Sequence, residues 1–300
     1  MVPVDITVIR VASVLAIALI YMLFDLFNKR NVPSIFAYAT LAYGFVLTLL
    51  YASILSLISI AVALLVLGFG YLIYKMGQIG AADIIEFAAI SLVLPIQPMP
   101  WLVSLNQLGL PFILSILIGS GVAALIIAPT YYLLFSKNRG TKSSIMRGIN
   151  SKSIFKSAMV ILAYAVFLVF LRLTIGLSAY AFALLAVLAF FSGLIVLFES
   201  SIASAMIKYV RVSSFEEGDI IALNLMDQKE VSRLKARVKS LDRLVTQRLI
   251  KELKSKRIKE RFPVYKNAMP MALPVFIGVL VALSVGDIIL FIIPPFLAPL

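Results

Sequence analysis

Cysteine and histidine are both absent from the 300 residues of this chain. Without cysteine there is no disulfide, no thiolate nucleophile and no cysteine-based metal site. Without histidine the commonest general base and metal ligand is missing. Hydrolytic chemistry would have to come from carboxylates, from serine with lysine, or from a metal held by oxygen. Acids are also scarce. There are 14 Asp and Glu, and nine of them fall between Glu199 and Glu260. The other five are Asp5, Asp25, Asp83, Glu86 and Asp287. No internal repeat or low-complexity tract is visible.

What the chain has in abundance is apolar sequence. Hydrophobic residues make up 62%, against roughly 45–50% in soluble proteins, and the mean hydropathy is +1.06. The apolar stretches recur along the chain, which a cleaved signal peptide does not explain. A helical span needs about 20 apolar residues. Stretches near 6–24, 34–53, 55–75, 80–97, 110–135, 157–175, 178–198 and 268–294 qualify. The expected fold is an all-α polytopic membrane protein with about eight (six to eight) transmembrane helices. A small cytoplasmic α+β insertion precedes the last helix. The expected divisions are a transmembrane bundle over 1–198, a basic domain over 199–262 and a final helix over 263–300.

Charge orients this arrangement. The net charge is +13. In a soluble protein that would suggest nucleic acid. In a membrane protein it fits basic loops on the cytoplasmic side facing anionic headgroups, and no nucleic-acid partner is expected. With eight spans and both termini outside, only Arg10 and Arg172 of the 27 basic residues fall on the outer side. Asp25 then lies at the cytoplasmic end of the first span and Asp83 at the cytoplasmic start of the fourth. The two acids share a membrane face and a depth.

The one long polar stretch is 199–262. SSFEEGDIIALNLMD reads as short strands around an EEGD turn. Residues 228–261 read as one helix with an apolar stripe of Val231, Leu234, Val238, Leu241, Val245, Leu249 and Leu253. The rest of that stretch carries 13 Lys or Arg against 4 acids. It suits a solvated helix docked on its own domain, or one resting on anionic lipid.

An ionisable group at a bilayer edge is costly and marks a functional site. Two carboxylates a few ångströms apart do not both ionise cheaply, so the pair holds one proton. The ionised member then activates a water and the protonated member polarises a carbonyl, with no cofactor and no metal. The protons belong to the pair, so no single base is assigned. A purely structural explanation serves Asp83, because an acid near a helix N-terminus is ordinary capping. It serves Asp25 poorly, because a helix C-terminus disfavours an anion. Gly80, Ala81 and Ala82 before Asp83 permit close backbone approach. Pro33 suits the first turn of the second span.

These flanks resemble a known family. DLFNKRNVP, from Asp25 through Arg30 to Pro33, is similar to the D-x4-R-x-[IV]-P signature of type IV prepilin peptidases. GAAD, from Gly80 to Asp83, is similar to their G-x-G-D motif. Ala82 replaces the second glycine, as in the archaeal preflagellin (archaellin) peptidases, and the last apolar stretch through Gly286 and Asp287 resembles that branch as well. The resemblance implies a membrane aspartic endopeptidase with Asp25 and Asp83 as catalytic pair. It would remove the short basic leader of prepilin- or preflagellin-like precursors on the cytoplasmic side, ahead of a hydrophobic helix. Arg30 would meet lipid phosphate or fix the loop. Glu86 would draw the basic leader or, preferably, pair with Lys75. Glu199 would meet the leader or serve as a boundary acid. Asp287 would be neutralised by Arg10 or Arg172. With no cysteine, neither the zinc domain nor the methyl transfer of bacterial members is expected.

Two other readings compete. A presenilin-like intramembrane protease also uses paired aspartates, and Met271 to Pro274 (MALP) is faintly similar to its proline-alanine-leucine signature. A proton- or cation-coupled transporter would place its acids at the midplane in repeated halves, which this chain lacks. A membrane-anchored scaffold would give the aspartates no role.

Overall fold

A proline or a glycine marks where some of the apolar stretches of this chain stop being helix, as Pro95 and Gly176 do. The computed structural model describes residues 6–28, 31–50, 54–76, 79–102, 111–138, 150–176, 179–238, 241, 243–256, 258, 260–266 and 269–286. Its apolar helices are α1 (Ile6–Phe27), α2 (Ser34–Leu50), α3 (Ile54–Lys75), α4 (Ala81–Val93), α5 (Phe112–Asn138), α6 (Ser151–Ile175) and α7 (Ala179–Leu197). A short helix α8 (Glu199–Met206), strand β1 (Lys208–Arg211), helices α9 (Gln228–Arg237) and α10 (Gln247–Ser255), strand β2 (Arg261–Val264) and helix α11 (Ala272–Val285) complete the order.

Among the described residues, four helical segments are long and apolar enough to cross a membrane: 6–27, 56–75, 112–132 and 151–174. A fifth crossing results if 181–197 and 199–206, bent by 69°, form one broken span. The chain is thus mostly helical, with four to five candidate spans and a small two-stranded sheet. Ser34–Leu50 and Ala272–Val285 are apolar but shorter. α4 has 13 residues, about 20 Å of helix against a hydrocarbon core of about 30 Å. Hydropathy counts apolar residues whatever their backbone does. The sequence expectation of a span over 80–97 includes Leu94 to Gln97, which is not helical. Pro95 restricts Leu94 to extended backbone and removes an amide donor, so α4 stops at Val93.

α4 is the central element. Eight of its 13 residues are buried, with α2 and α3 packed along it and α1 crossing it. α11 packs between α1 and α5. Val14, Tyr21, Ile90, Phe112, Ile116 and Val279 belong to the shared core of these helices. The α5–α11 crossing is very close. A Cβ on Gly278 would lie 2.6 Å from the backbone nitrogen of Ser120 and 2.8 Å from the carbonyl oxygen of Ile116. Only glycine fits there, a small-residue contact of the kind that lets membrane helices touch backbone to backbone. α6 packs chiefly on α7, where Ser157 donates to the carbonyl of Gly193 at 2.8 Å. Only 11% of the apolar stretch of α6 is buried, so most of that helix faces outward.

The polar domain is an insertion clasped at its neck. β1 follows α8 directly, β2 leads towards α11, and the two strands pair antiparallel from Lys208↔Val264 to Arg211↔Arg261. The division expected at 262/263 therefore falls inside a strand, and the last helix starts at Ala272 rather than 263. The single helix expected over 228–261 is two helices, α9 and α10. Its apolar stripe still exists, but it is divided between two helices. Leu234, Val238, Leu241, Val245, Leu249 and Leu253 join Val210, Ile221 and Phe262 in one core. A straight rod would leave that stripe on one side, facing water. Thr246 restarts the helix, its hydroxyl accepting from the amide of Leu249 at 3.3 Å. We expect Thr246→Ala to destabilise the polar domain by about 1 kcal/mol, read as lower protease resistance of the 199–266 region with the transmembrane bundle unaffected.

Candidate active site

Asp25 stands two residues before the end of α1 and is 9% exposed. Asp83 is the third residue of α4 and is partly exposed. Both line one cleft of about 510 Å³, a size within the usual range for ligand sites. The segment entering α2 forms one wall through Asn31 and Ser34. The polar domain forms another, contributing Glu217, Gly218, Ile220 and Leu244.

Each aspartate is held by a backbone amide at a helix start. Asp83 accepts the N–H of Gly80 at 3.2 Å. A Cβ at position 80 would come within 2.9 Å of that same carboxylate oxygen, so glycine is what lets the carboxylate fold back. Asp25 accepts the N–H of Ala272 at 2.9 Å. Ala272 is the first residue of α11, and its amide has no partner inside its own helix. The carboxylate disfavoured at the end of α1 is thus stabilised by the positive end of α11. Met271 also lines the cleft. Sequence reasoning noted Met271 to Pro274 only as a likeness to another protease class, and missed its contact with Asp25. Pro274 in the first turn marks where this apolar helix starts, but nothing in the sequence couples that start to Asp25.

The other expected residues are distributed unevenly. Ala82 lines the cleft and packs against the core, so this position accepts a methyl group. Pro33 directly precedes α2, its carbonyl accepting from the amide of Ala37 at 3.0 Å. Arg30 and Asp287 lie outside the described residues. Glu86 does not pair with Lys75. Glu86 is 0% exposed, and neither carboxylate oxygen has a hydrogen-bond partner among the described residues. Lys75 is exposed, with its ammonium 4.8 Å over the ring of Tyr71. Glu86 lies one turn beyond Asp83 on a similar face, and the helices packed around α4 bury it. Nor is Glu199 among the residues that line the cleft. It opens α8 and meets Lys156 at 3.8 Å on the surface. An unsatisfied buried polar group costs about 1–3 kcal/mol, so we expect Glu86→Met to raise the unfolding temperature in detergent. A lowered one would show that this carboxyl has a stabilising partner.

The wall from the polar domain is a rigid turn. Gly218, at φ 92°, makes it, and its amide donates to Val245 at 2.9 Å. Lys266 bridges Glu216 at 3.1 Å and Asp219 at 3.0 Å. Burial pulls the Lys266 ammonium down, but the hydrogen bonds and charges of Asp219 and Glu216 outweigh it and leave its pKa above the usual lysine value. The sign follows: the bridge stabilises fully below the ordinary lysine range and fades only as pH rises through the raised value. The turn therefore keeps its clasp across the physiological range.

No protein-family model matches the chain, and no curated protein or solved structure matches it significantly.

Proposed function

We propose that the chain is a membrane aspartic endopeptidase that removes the short basic leader from prepilin- or preflagellin-like precursors at the cytoplasmic face. The single observation that carries this reading is that Asp25 and Asp83, 58 positions apart, line one cleft. The motif resemblance of their flanks adds to it. In this reading the pair shares one proton. The ionised carboxylate takes a proton from water as its oxygen attacks the scissile carbonyl, and the protonated one gives its hydrogen to the carbonyl oxygen. Collapse of the tetrahedral species returns a proton to the departing amine.

The topology that goes with this function counts α2, α4 and α11 as spans together with their apolar flanks, making eight. The polar domain and the cleft then share the cytoplasmic side with most of the basic residues. An external tag inserted in the 199–262 segment should be inaccessible in intact cells. Accessibility there would reverse the orientation.

A presenilin-like intramembrane protease is a second reading, favoured by the bond from Ala272 to Asp25. The cut position separates the two. A peptidase of the prepilin type cuts ahead of the apolar segment, and an intramembrane protease cuts within it.

A further inference from the structure

We infer that Glu217 is a specificity-determining residue of this cleft, pairing with a cationic side chain of the bound peptide. The inference rests on the peptidase reading above and names what that cleft selects.

Three acids line the cleft: Asp25, Asp83 and Glu217. No lysine or arginine lines it among the described residues, although basic residues outnumber acids 27 to 14 in the chain. A wall of one charge sign in so basic a protein selects ligands of the opposite sign. Of the three acids on the 216–219 turn, Glu216 and Asp219 are taken by Lys266. Glu217 is different. It accepts a hydrogen bond at 3.0 Å from the side-chain amide of Gln247, a neutral donor that orients the carboxylate and leaves its charge. No cation pairs with it among the described residues. The turn is pinned to the 243–245 segment by Gly218 to Val245, Val245 to Asp219 and Ile221 to Arg243 hydrogen bonds, so the carboxylate is presented from a fixed backbone. The cleft is thus built from two parts of the chain with different duties. The helices supply Asp25 and Asp83, and the polar domain supplies the charge that reads the ligand.

The test is a binding measurement on the full-length protein in uncharged detergent, using a fluorescent peptide with a Lys-Arg pair. Companion peptides carry Gln-Gln or Glu-Glu in place of the pair. Wild type should bind the Lys-Arg peptide more tightly than the Gln-Gln one. We expect Glu217→Gln to weaken Lys-Arg binding about threefold and Glu217→Lys about tenfold. Glu217→Lys should also tighten binding of the Glu-Glu peptide, a gain that a misfolded protein would not show. Glu199→Gln should change nothing. Equal affinity of wild type for the Lys-Arg and Gln-Gln peptides overturns the inference. So does unaltered Lys-Arg binding by Glu217→Gln and Glu217→Lys. Binding is read without cleavage, so a protein that binds with this selectivity and cuts nothing would refute the peptidase reading instead.

Discussion

If the chain is the peptidase proposed, Asp25→Asn and Asp83→Asn should each reduce leader cleavage by about 10²–10⁴-fold or more, the range set by loss of a general acid or base. The protein should still insert and fold. At both positions an amide retains an oxygen that accepts the existing backbone hydrogen bond, from Ala272 to residue 25 and from Gly80 to residue 83. What it loses is the shared proton. One substitution should therefore cost nearly as much as both together, because the two carboxyls work as a unit. Cleavage of a co-expressed precursor, followed by the mobility shift of the processed form, reads the effect. Full activity in either variant would remove the dyad from consideration.

Gly278→Val should be the most damaging apolar substitution in the bundle. A Cβ there meets Ser120 Oγ, the backbone nitrogen of Ser120 and the carbonyl oxygen of Ile116. The serine hydroxyl is able to rotate away, but two of the three contacts are backbone, so relief requires α5 and α11 to separate. Overpacking of this kind costs about 1–3 kcal/mol, and more where backbone is involved. α11 also carries the Ala272 amide that holds Asp25, so activity should fall with stability. We expect a lower unfolding temperature in detergent and loss of the monodisperse species on size exclusion. Wild-type stability in this variant would show that the two helices are not in backbone contact.

The sequence makes the aspartate pair legible for a local reason. Each acid is nearly alone in an apolar segment, and its neighbours within a few residues carry the motif. Long-range contacts left no such trace. The amide of Ala272 reaches Asp25 across 247 positions, and nothing near Asp25 points to it. The polar domain was recognised from its charges, but its contribution of Glu217 to the cleft depends on how the β1–β2 neck directs it. The apolar stripe from Val231 to Leu253 suits a helix docked on its own domain or one resting on lipid; the structure packs it into the domain core, on two helices rather than one. Spacing records which residues are apolar and is indifferent to one helix ending at Arg237 and another starting at Gln247. The sequence allows Glu86 either a basic leader or Lys75 as partner, and the structure buries it away from Lys75. Its burial depends on the neighbours of α4, which only the tertiary packing supplies. The shortness of α4 was written in Pro95, but an apolar flank on the far side of that proline hid it from a hydropathy count.

One reaction tests the proposed aspartate pair most directly. Purified protein is incubated with a pilin-type precursor, and the new N-terminus of the product is sequenced, with the Asp25→Asn and Asp83→Asn proteins run alongside. A single new terminus just ahead of the precursor's apolar segment, formed by wild type and by neither variant, is the result expected. An intact precursor, or the same product from either variant, would contradict it.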